Sequence, residues 1–175
     1  DLKTALEVVV ARGEFMSSCS EGAMAAILGA NLENLETELL EFESEPVVIA
    51  NYNSPGQYVI SGSKAGVEKA CEKCGVLDNV KRVVPLKVGG PFHSPIMNPA
   101  AEKFESFIQE KTFQDAEVPL ILNRTALTES FGDKLKENLP IQVRSSVKWQ
   151  QSIEKVSPST TVFLECGAGK VLTGL

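Results

Sequence analysis

One turn of the sequence combines the chain's only histidine with a constrained backbone. His93 lies in the run Gly-Gly-Pro-Phe-His-Ser-Pro (89–95), after a β-rich segment and before an amphipathic helix that begins near Pro95. Two glycines and two prolines restrict the backbone there, so the imidazole is expected on a rigid turn between a strand and a helix. Histidine titrates near neutral pH and suits general-base catalysis. A lone histidine is more often a packed or surface residue, so the rest of the sequence must decide between the two interpretations.

The cysteines offer a second candidate chemistry. Cys71 and Cys74 have the C-x-x-C spacing of redox motifs and of half a zinc site. The sequence has no second C-x-x-C and no histidine pair, and both thiols fall late in a helical pattern. We therefore favour reduced structural thiols, as in a reducing compartment, over a redox or metal site, and we expect no metal.

Composition excludes several other classes of function. The net charge is −6 and the basic residues are scattered, so a nucleic-acid partner is not expected. The apolar runs are far shorter than the roughly 20 residues of a membrane span, and the N-terminal residues do not resemble a signal peptide. These features favour a protein without a membrane partner, in the cytoplasm, or in an organelle stroma or matrix if the source is eukaryotic.

Residues 22–88 read as a β-α-β-β-α-β module. After a first helix over 1–16, the predicted elements are a strand over 23–29, a helix over 32–43, strands over 47–52 and 57–61 around the turn 53–56, a helix that follows Ser63, and a strand over 81–88. That order is the split βαβ, ferredoxin-like unit, which can bury its own core.

The pattern changes after His93. It predicts helices over 95–111, 129–138 and 145–156, and strands over 118–123 and 160–165 that are apolar on both faces. Such strands are typical of a parallel sheet covered by helices on both sides. Two strands cannot form that sheet alone, so we expect partner strands from another chain or from a preceding segment of a longer protein.

Several sequence blocks resemble one enzyme family, the malonyl-CoA:acyl carrier protein transacylases of type II fatty acid synthesis. The matching blocks, in order, are RGEFM (12–16), GAMAAI (22–27), ANYNSPGQ (50–57), PFHSP (91–95) and GAGKVLTGL (167–175). The resemblance implies an α/β-hydrolase-like large domain, formed here by 1–20 and 92–175 and present only as its C-terminal half. It also implies an inserted ferredoxin-like small domain over 21–91.

The resemblance implies acyl transfer through a seryl ester. The family's serine lies in a G-H-S-x-G elbow upstream of the blocks above. No serine of this sequence lies in a G-x-S-x-G motif, so the nucleophile is expected outside the 175 residues, together with the glutamine-bearing loop of the oxyanion hole.

The remaining roles carry over by position. His93 resembles the base, and Gln142 resembles the residue that orients its imidazole from across the sheet. Arg12 resembles the arginine that binds the free malonyl carboxylate, and this pairing would make the site reject an acetyl group. The alternative interpretation of Arg12 is a solvated charge at the end of a helix. Met24 resembles a residue beside the acyl group. Phe92 resembles the phenylalanine typical of malonyl-selective relatives.

The family's partners are malonyl-CoA and acyl carrier protein, and its complete members are expected to be monomers that need no cofactor beyond these substrates. We interpret Asn51 and Asn53 first as turn-forming residues and only second as residues that line the site. Lys81, Arg82 and Lys87 are candidates for a basic rim that meets the acidic carrier protein. Two alternatives stay open: a non-catalytic fragment or module that binds acyl carrier protein, and an acyltransferase domain of a polyketide synthase.

Overall fold

A computed structural model describes residues 1–42 and 45–175. Helix α1 spans Leu2–Ser17 and begins where the Asp1 carboxylate accepts a hydrogen bond of 2.8 Å from the Thr4 backbone N–H. This side-chain cap satisfies one of the free N–H groups at the helix start. The helix predicted over 1–16 is confirmed.

The next elements form the predicted ferredoxin-like module. They are β1 (Ala23–Leu28), α2 (Leu32–Leu39), β2 (Val47–Ser54), β3 (Gln57–Gly62), α3 (Lys64–Cys74) and β4 (Arg82–Pro85). The strands lie in the order β4-β1-β3-β2, and every neighbouring pair is antiparallel. The predicted β-α-β-β-α-β order is confirmed, although β4 is shorter than the predicted strand over 81–88.

Local signals in the sequence set the ends of these elements. Asn31 and Ser63 cap α2 and α3 through their side chains. Gly56 has a φ of +80°, which glycine adopts readily in the turn between β2 and β3. After α2 the chain continues as a 3-10 turn to Phe42, and the predicted helix end at Glu43 lies outside the described residues.

The two faces of this sheet have different partners. One face packs against α2 and α3, around fully buried residues such as Ile27, Leu35 and Ile60. The opposite face carries a smaller buried cluster that includes Met24 and Ala50. The second face is the one that contributes to the candidate site.

A separate helical core follows His93. Helix α4 (Asn98–Gln109) begins after a 3-10 turn at Pro95–Met97 and packs against α1 and α5 (Gly132–Arg144). Phe104 and Val143 are fully buried between these helices. The sequence predicted a helix over only 129–138, whereas α5 continues through Pro140 and contains Gln142.

The described residues of this half do not form the predicted parallel sheet by themselves, which agrees with the expectation that its partner strands lie outside the 175 residues. Strand β5 (Leu120–Ile121) pairs antiparallel with β6 (Thr128–Glu129), and residues 160–165 join no strand. A strand without a neighbour leaves its backbone groups to water and its apolar side chains exposed. Accordingly, Leu164 is 84% exposed.

One parallel pairing joins the two halves. Strand β7 (Val147–Lys148) extends the edge of β2, and α6 (Trp149–Val156) follows directly and packs on the same strand. None of the helices in the described part of the chain is long and apolar enough to cross a membrane.

Candidate functional site

The turn that carries His93 is tightly fixed. His93 has a φ of +60°, a left-handed conformation that is uncommon for a residue with a Cβ. The buried Ser94 hydroxyl donates a hydrogen bond of 2.7 Å to the Pro91 carbonyl and closes the turn. A Cβ at Gly90 would collide with the Cys19 carbonyl oxygen, so this close approach requires glycine. The predicted constraint on the imidazole is therefore present.

The imidazole is held at the C-terminal end of α5. His93 Nδ1 lies 3.0 Å from the Gln142 carbonyl oxygen and 3.1 Å from the Ser145 carbonyl oxygen. The His93 backbone N–H also donates to the Val143 carbonyl, at 3.3 Å. Carbonyl oxygens only accept hydrogen bonds, so Nδ1 carries the proton in the neutral ring. Nε2 then has a free lone pair, which is the tautomer that a general base needs.

The position of Gln142 differs from the expectation. Gln142 lies on α5 instead of across a sheet, and its backbone carbonyl, not its side chain, contacts His93. Helix α5 exposes its last carbonyl groups at this end, which carries the negative pole of the helix dipole. A helix end can therefore stabilise a protonated imidazole without a carboxylate.

Arg12 is close enough to His93 to influence the charge of the imidazole. Burial and the positive charge of Arg12 lower the pKa of His93, while the Gln142 and Ser145 carbonyls oppose this shift. Burial lowers the pKa of the Arg12 guanidinium as well. Arg12 forms no hydrogen bond or ion pair with the other residues that the structure describes. The site therefore combines a neutral base with a partly desolvated cation.

Met24 and Phe92 contribute an apolar wall. Met24 is buried on the sheet face opposite α2 and α3, where it clusters with Ala50 and Val59, and the partly buried Phe92 packs against this cluster. Phe92 also contacts the helical core formed by α1, α4 and α5. It therefore spans the junction between the two cores, one residue before His93.

Asn51 and Asn53 do not form the turn. Both lie on β2, and the tight turn uses Pro55 and Gly56 instead. Asn51 pairs with Val147 in the parallel ladder. The two asparagines are thus strand residues near the junction, and the interpretation of them as turn-forming is wrong.

The C-x-x-C pair has the character of structural thiols. Cys71 and Cys74 lie on α3, and both are free. Burial raises the pKa of Cys74 to about 11 and also raises the pKa of Cys71. A raised pKa keeps a thiol protonated and poorly reactive at neutral pH. Within residues 1–42 and 45–175, no cluster of three metal-ligating side chains occurs.

Sequence reasoning missed the contributions of Ser145 and Val143. Each acts through a backbone carbonyl, and any residue type provides that group. Only the position of the helix end could have pointed to them, because the last carbonyls of a helix lack partners within it. The predicted helix end at 138 hid this signal.

Comparisons with known proteins agree with the geometry. A family model described as acyl transferase domain matches residues 2–173. The malonyl CoA-acyl carrier protein transacylase of Bacillus subtilis is 44% identical, over 99% of this chain and 56% of its own length.

Solved structures agree with this match. An acyl carrier protein S-malonyltransferase from Vibrio cholerae has a TM-score of 0.95 and 36% identity, with 100% of this chain and 58% of that one covered. The solved structure of a type II PKS acyl-carrier protein in complex with its malonyl-transacylase contains a chain that matches with a TM-score of 0.94 and 33% identity. The match covers 100% of this chain and 58% of that chain. The chain thus spans little more than half the length of the relatives it matches. The predicted fold class, an α/β-hydrolase-like large domain with a ferredoxin-like insertion, is confirmed.

Proposed function

Because the chain belongs to the acyl transferase domain family, we propose that it supplies the base and the carboxylate-binding part of a malonyl-CoA:acyl carrier protein transacylase. The observation that carries the proposal is the pair of carbonyl oxygens on His93 Nδ1, which leaves Nε2 free to accept a proton. The unpaired Arg12 beside this ring supports an anionic acyl group as the substrate.

The first half-reaction loads the acyl group onto a serine outside the 175 residues. His93 Nε2 takes the proton of the serine hydroxyl while the serine oxygen attacks the thioester carbonyl of malonyl-CoA. The carbon–sulfur bond then breaks, and the imidazolium returns the proton to the departing coenzyme A thiolate. The lowered pKa of His93 favours this role, because the ring is neutral and ready to accept a proton at neutral pH.

The second half-reaction repeats the proton transfers with a different thiol. The phosphopantetheine thiol of acyl carrier protein gives its proton to His93 Nε2, and its sulfur attacks the seryl ester. The serine oxygen leaves and recovers the proton from the imidazolium. These steps use only side chains, backbone groups and the two substrates, so we propose a reaction without a metal or a further cofactor.

Arg12 gives the site its preference for malonyl. Its guanidinium can bind the free carboxylate through two parallel hydrogen bonds. An acetyl group would leave this partly buried cation without a partner, which is unfavourable. Met24 and Phe92 bound the acyl group on the apolar side, where the bulk of the phenyl ring disfavours a branched acyl group.

The segment that carries the serine covers the exposed apolar faces of this chain. Leu2, Leu6 and Val9 lie exposed along one side of α1, and residues 160–165 expose a strand-like apolar run. Neighbouring strands would pair with that run and bury both surfaces, as the sequence predicted for a parallel sheet. The division into a large domain (1–20 and 92–175) and a small domain (21–91) fits the separate cores and stays part of the proposal.

Acyl carrier protein is the proposed acceptor. Lys81, Arg82 and Lys87 are exposed beside and within the edge strand β4, where they form a basic rim for an acidic partner. A monomer in the cytoplasm, or in an organelle stroma or matrix, is the setting that we propose for the complete enzyme.

A chimera tests the function directly. The part of the Bacillus subtilis relative that precedes its match to this chain is fused ahead of Asp1, and malonyl transfer from malonyl-CoA to holo acyl carrier protein is measured. We expect malonylated carrier protein to form. A folded chimera that binds carrier protein but transfers nothing would instead support the non-catalytic module.

The same assay distinguishes the two metabolic settings. Carrier proteins from fatty acid and from polyketide synthesis are supplied in competition, because one structural neighbour is in complex with a type II PKS carrier protein. We expect faster transfer to the fatty acid carrier protein. The opposite preference would support the polyketide alternative.

A further inference from the structure

We propose that Ser146 is a positioning residue for His93: its hydroxyl anchors the segment that presents the Ser145 carbonyl to the imidazole. Ser146 does not touch the ring itself. The inference rests on the proposed role of His93 as the base, but it concerns how the free protein holds that ring.

The anchor is a short hydrogen bond between the two halves of the chain. Ser146 Oγ donates to the Ile49 carbonyl oxygen at 2.6 Å. Ile49 lies on β2, where the pairing with β3 shifts between Ile49 and Asn51 and leaves Ala50 as a bulge. A bulge re-aims the strand beside it. The Ile49 carbonyl faces the segment that leads into β7.

The Ser145 carbonyl depends on this anchor because it lies outside the helix. Ser145 has φ −116° and ψ +151°, an extended conformation that ends α5. The Gln142 carbonyl, by contrast, belongs to the last turn of α5 and is fixed by the helix. The direction of the Ser145 carbonyl is set by the chain that follows it, and Ser146 is the first residue of that chain.

Few other contacts hold this segment. Strand β7 has only two residues, which pair with Asn51 and Tyr52 of β2. The Lys148 backbone N–H donates to the Asn123 carbonyl at 2.7 Å, two residues beyond Ser146. On the helix side, the Ser145 backbone N–H donates to the Gln142 carbonyl at 3.4 Å. On the side of β7, the Ser146 hydroxyl makes the hydrogen bond closest to the Ser145 carbonyl.

Loss of the hydroxyl should alter the state of the ring. One of the two acceptors on Nδ1 would move, so the tautomer with the proton on Nε2 would become more populated. The protonated ring would also lose a stabilising acceptor, while the charge of Arg12 on α1 would still oppose protonation. The pKa of His93 should therefore fall further.

Nuclear magnetic resonance can observe this ring without interference, because His93 is the only histidine in the chain. The ¹⁵N shifts of the ring report the tautomer, and the pH dependence of the ring signals gives the pKa. The variants are Ser146→Ala, Ser146→Val, and Ser146→Thr, which keeps the hydroxyl. Ser152→Ala is the matched control, because the Ser152 hydroxyl donates to the Lys148 carbonyl at 2.8 Å and has no contact with His93.

We expect Ser146→Ala and Ser146→Val to raise the Nε2–H population and to lower the pKa of His93 by roughly 0.5. Ser146→Thr and Ser152→Ala should leave both quantities at the wild-type values. Folded Ala and Val variants with unchanged ring signals would overturn the proposal. Global unfolding of both would overturn it too, because the hydroxyl would then serve the whole fold. These readouts need no substrate, so they are independent of whether malonyl transfer is observed.

Discussion

The ferredoxin-like module (residues 22–88) and the region after His93 differ in how completely they bury their own apolar residues. The sheet β4-β1-β3-β2 closes over α2 and α3, and Ile27, Leu35 and Ile60 are fully buried there. In the later region α4 packs against α1 and α5, but Val162 and Leu164 remain exposed. The module supplies the four antiparallel strands of its sheet, which β7 extends at one edge, whereas the later region lacks strands to pair with residues 160–165.

The candidate site lies at the boundary between the ferredoxin-like module, which buries its own core, and the region after His93, which leaves an apolar run exposed. Met24 and the Ile49 carbonyl come from the sheet of the module, and the carbonyls on His93 come from α5. These rigid elements fix the His93 ring before any partner segment is present. The reaction then depends on the region after His93, where the nucleophile is proposed to dock.

The largest effect on stability is expected in the sheet of the ferredoxin-like module. Ile60→Ala removes a fully buried side chain and leaves a cavity between β3 and the helices, which should reduce the free energy of unfolding by about 2–5 kcal/mol. Urea denaturation measures this change. Ile60→Val is the control, with an expected loss of about 0.5–1.5 kcal/mol. Equal losses for the two variants would contradict tight packing at this position.

Removal of the cation should change the acyl preference of the chimera. Arg12→Ala should reduce kcat/KM for malonyl-CoA about 100-fold, because it deletes a charge-assisted contact worth about 3 kcal/mol, and acetyl-CoA should become a relatively better substrate. Competition between the two thioesters measures the ratio. Arg12→Lys keeps the positive charge but cannot bind a carboxylate through two parallel hydrogen bonds, so its kcat/KM for malonyl-CoA should lie between those of the wild type and Arg12→Ala. Unchanged malonyl transfer would remove Arg12 from the carboxylate site.

Acid should weaken the fold through His93. Its pKa in the folded chain is below the ordinary value near 6.5, so the unfolded chain binds a proton more readily in the window between the two values. The stabilisation is complete above the unfolded pKa and is lost as the pH falls through the folded pKa. We expect the free energy of unfolding to fall more steeply with acid in the wild type than in His93→Gln as the pH falls below about 6.5. Parallel curves would contradict the buried neutral ring.

The smallest effect is expected in the region after His93. Leu164→Ala should change the free energy of unfolding of this chain by less than about 0.5 kcal/mol, because the side chain is 84% exposed. In the chimera, where neighbouring strands are proposed to bury it, the same change should cost about 2–5 kcal/mol. Equal effects in both proteins would show that residues 160–165 gain no partner.

Local patterns predicted the parts of the fold that local chemistry determines. The helix start after Ser63, the turn at 53–56 and the order of strands and helices identified the ferredoxin-like module. Within the apolar run 118–123 only the two-residue strand β5 forms, and the run 160–165 joins no sheet. A strand forms only beside another strand, and that depends on polypeptide elsewhere.

Residue types predicted which side chains meet but not how they meet. The sequence pointed to His93, Arg12, Met24 and Phe92, and the structure brings them to one region. It could not reveal that Gln142 contacts His93 through its backbone, because α5 runs further than its pattern indicated. Main-chain ligands depend on where a helix ends, which is the least predictable feature of a sequence.

The most direct test of the site is the formation of the acyl-enzyme in the chimera when the base is removed. Malonyl-CoA is mixed with the wild-type and His93→Ala chimeras without carrier protein, and the amount of malonyl bound to the serine is followed over milliseconds to seconds. We expect the wild type to show a burst of acylation, and the variant to acylate at least about 100-fold more slowly, because a positioned general base contributes 10²–10⁴-fold. A burst of normal rate and amplitude in His93→Ala would contradict the assignment of His93 as the base.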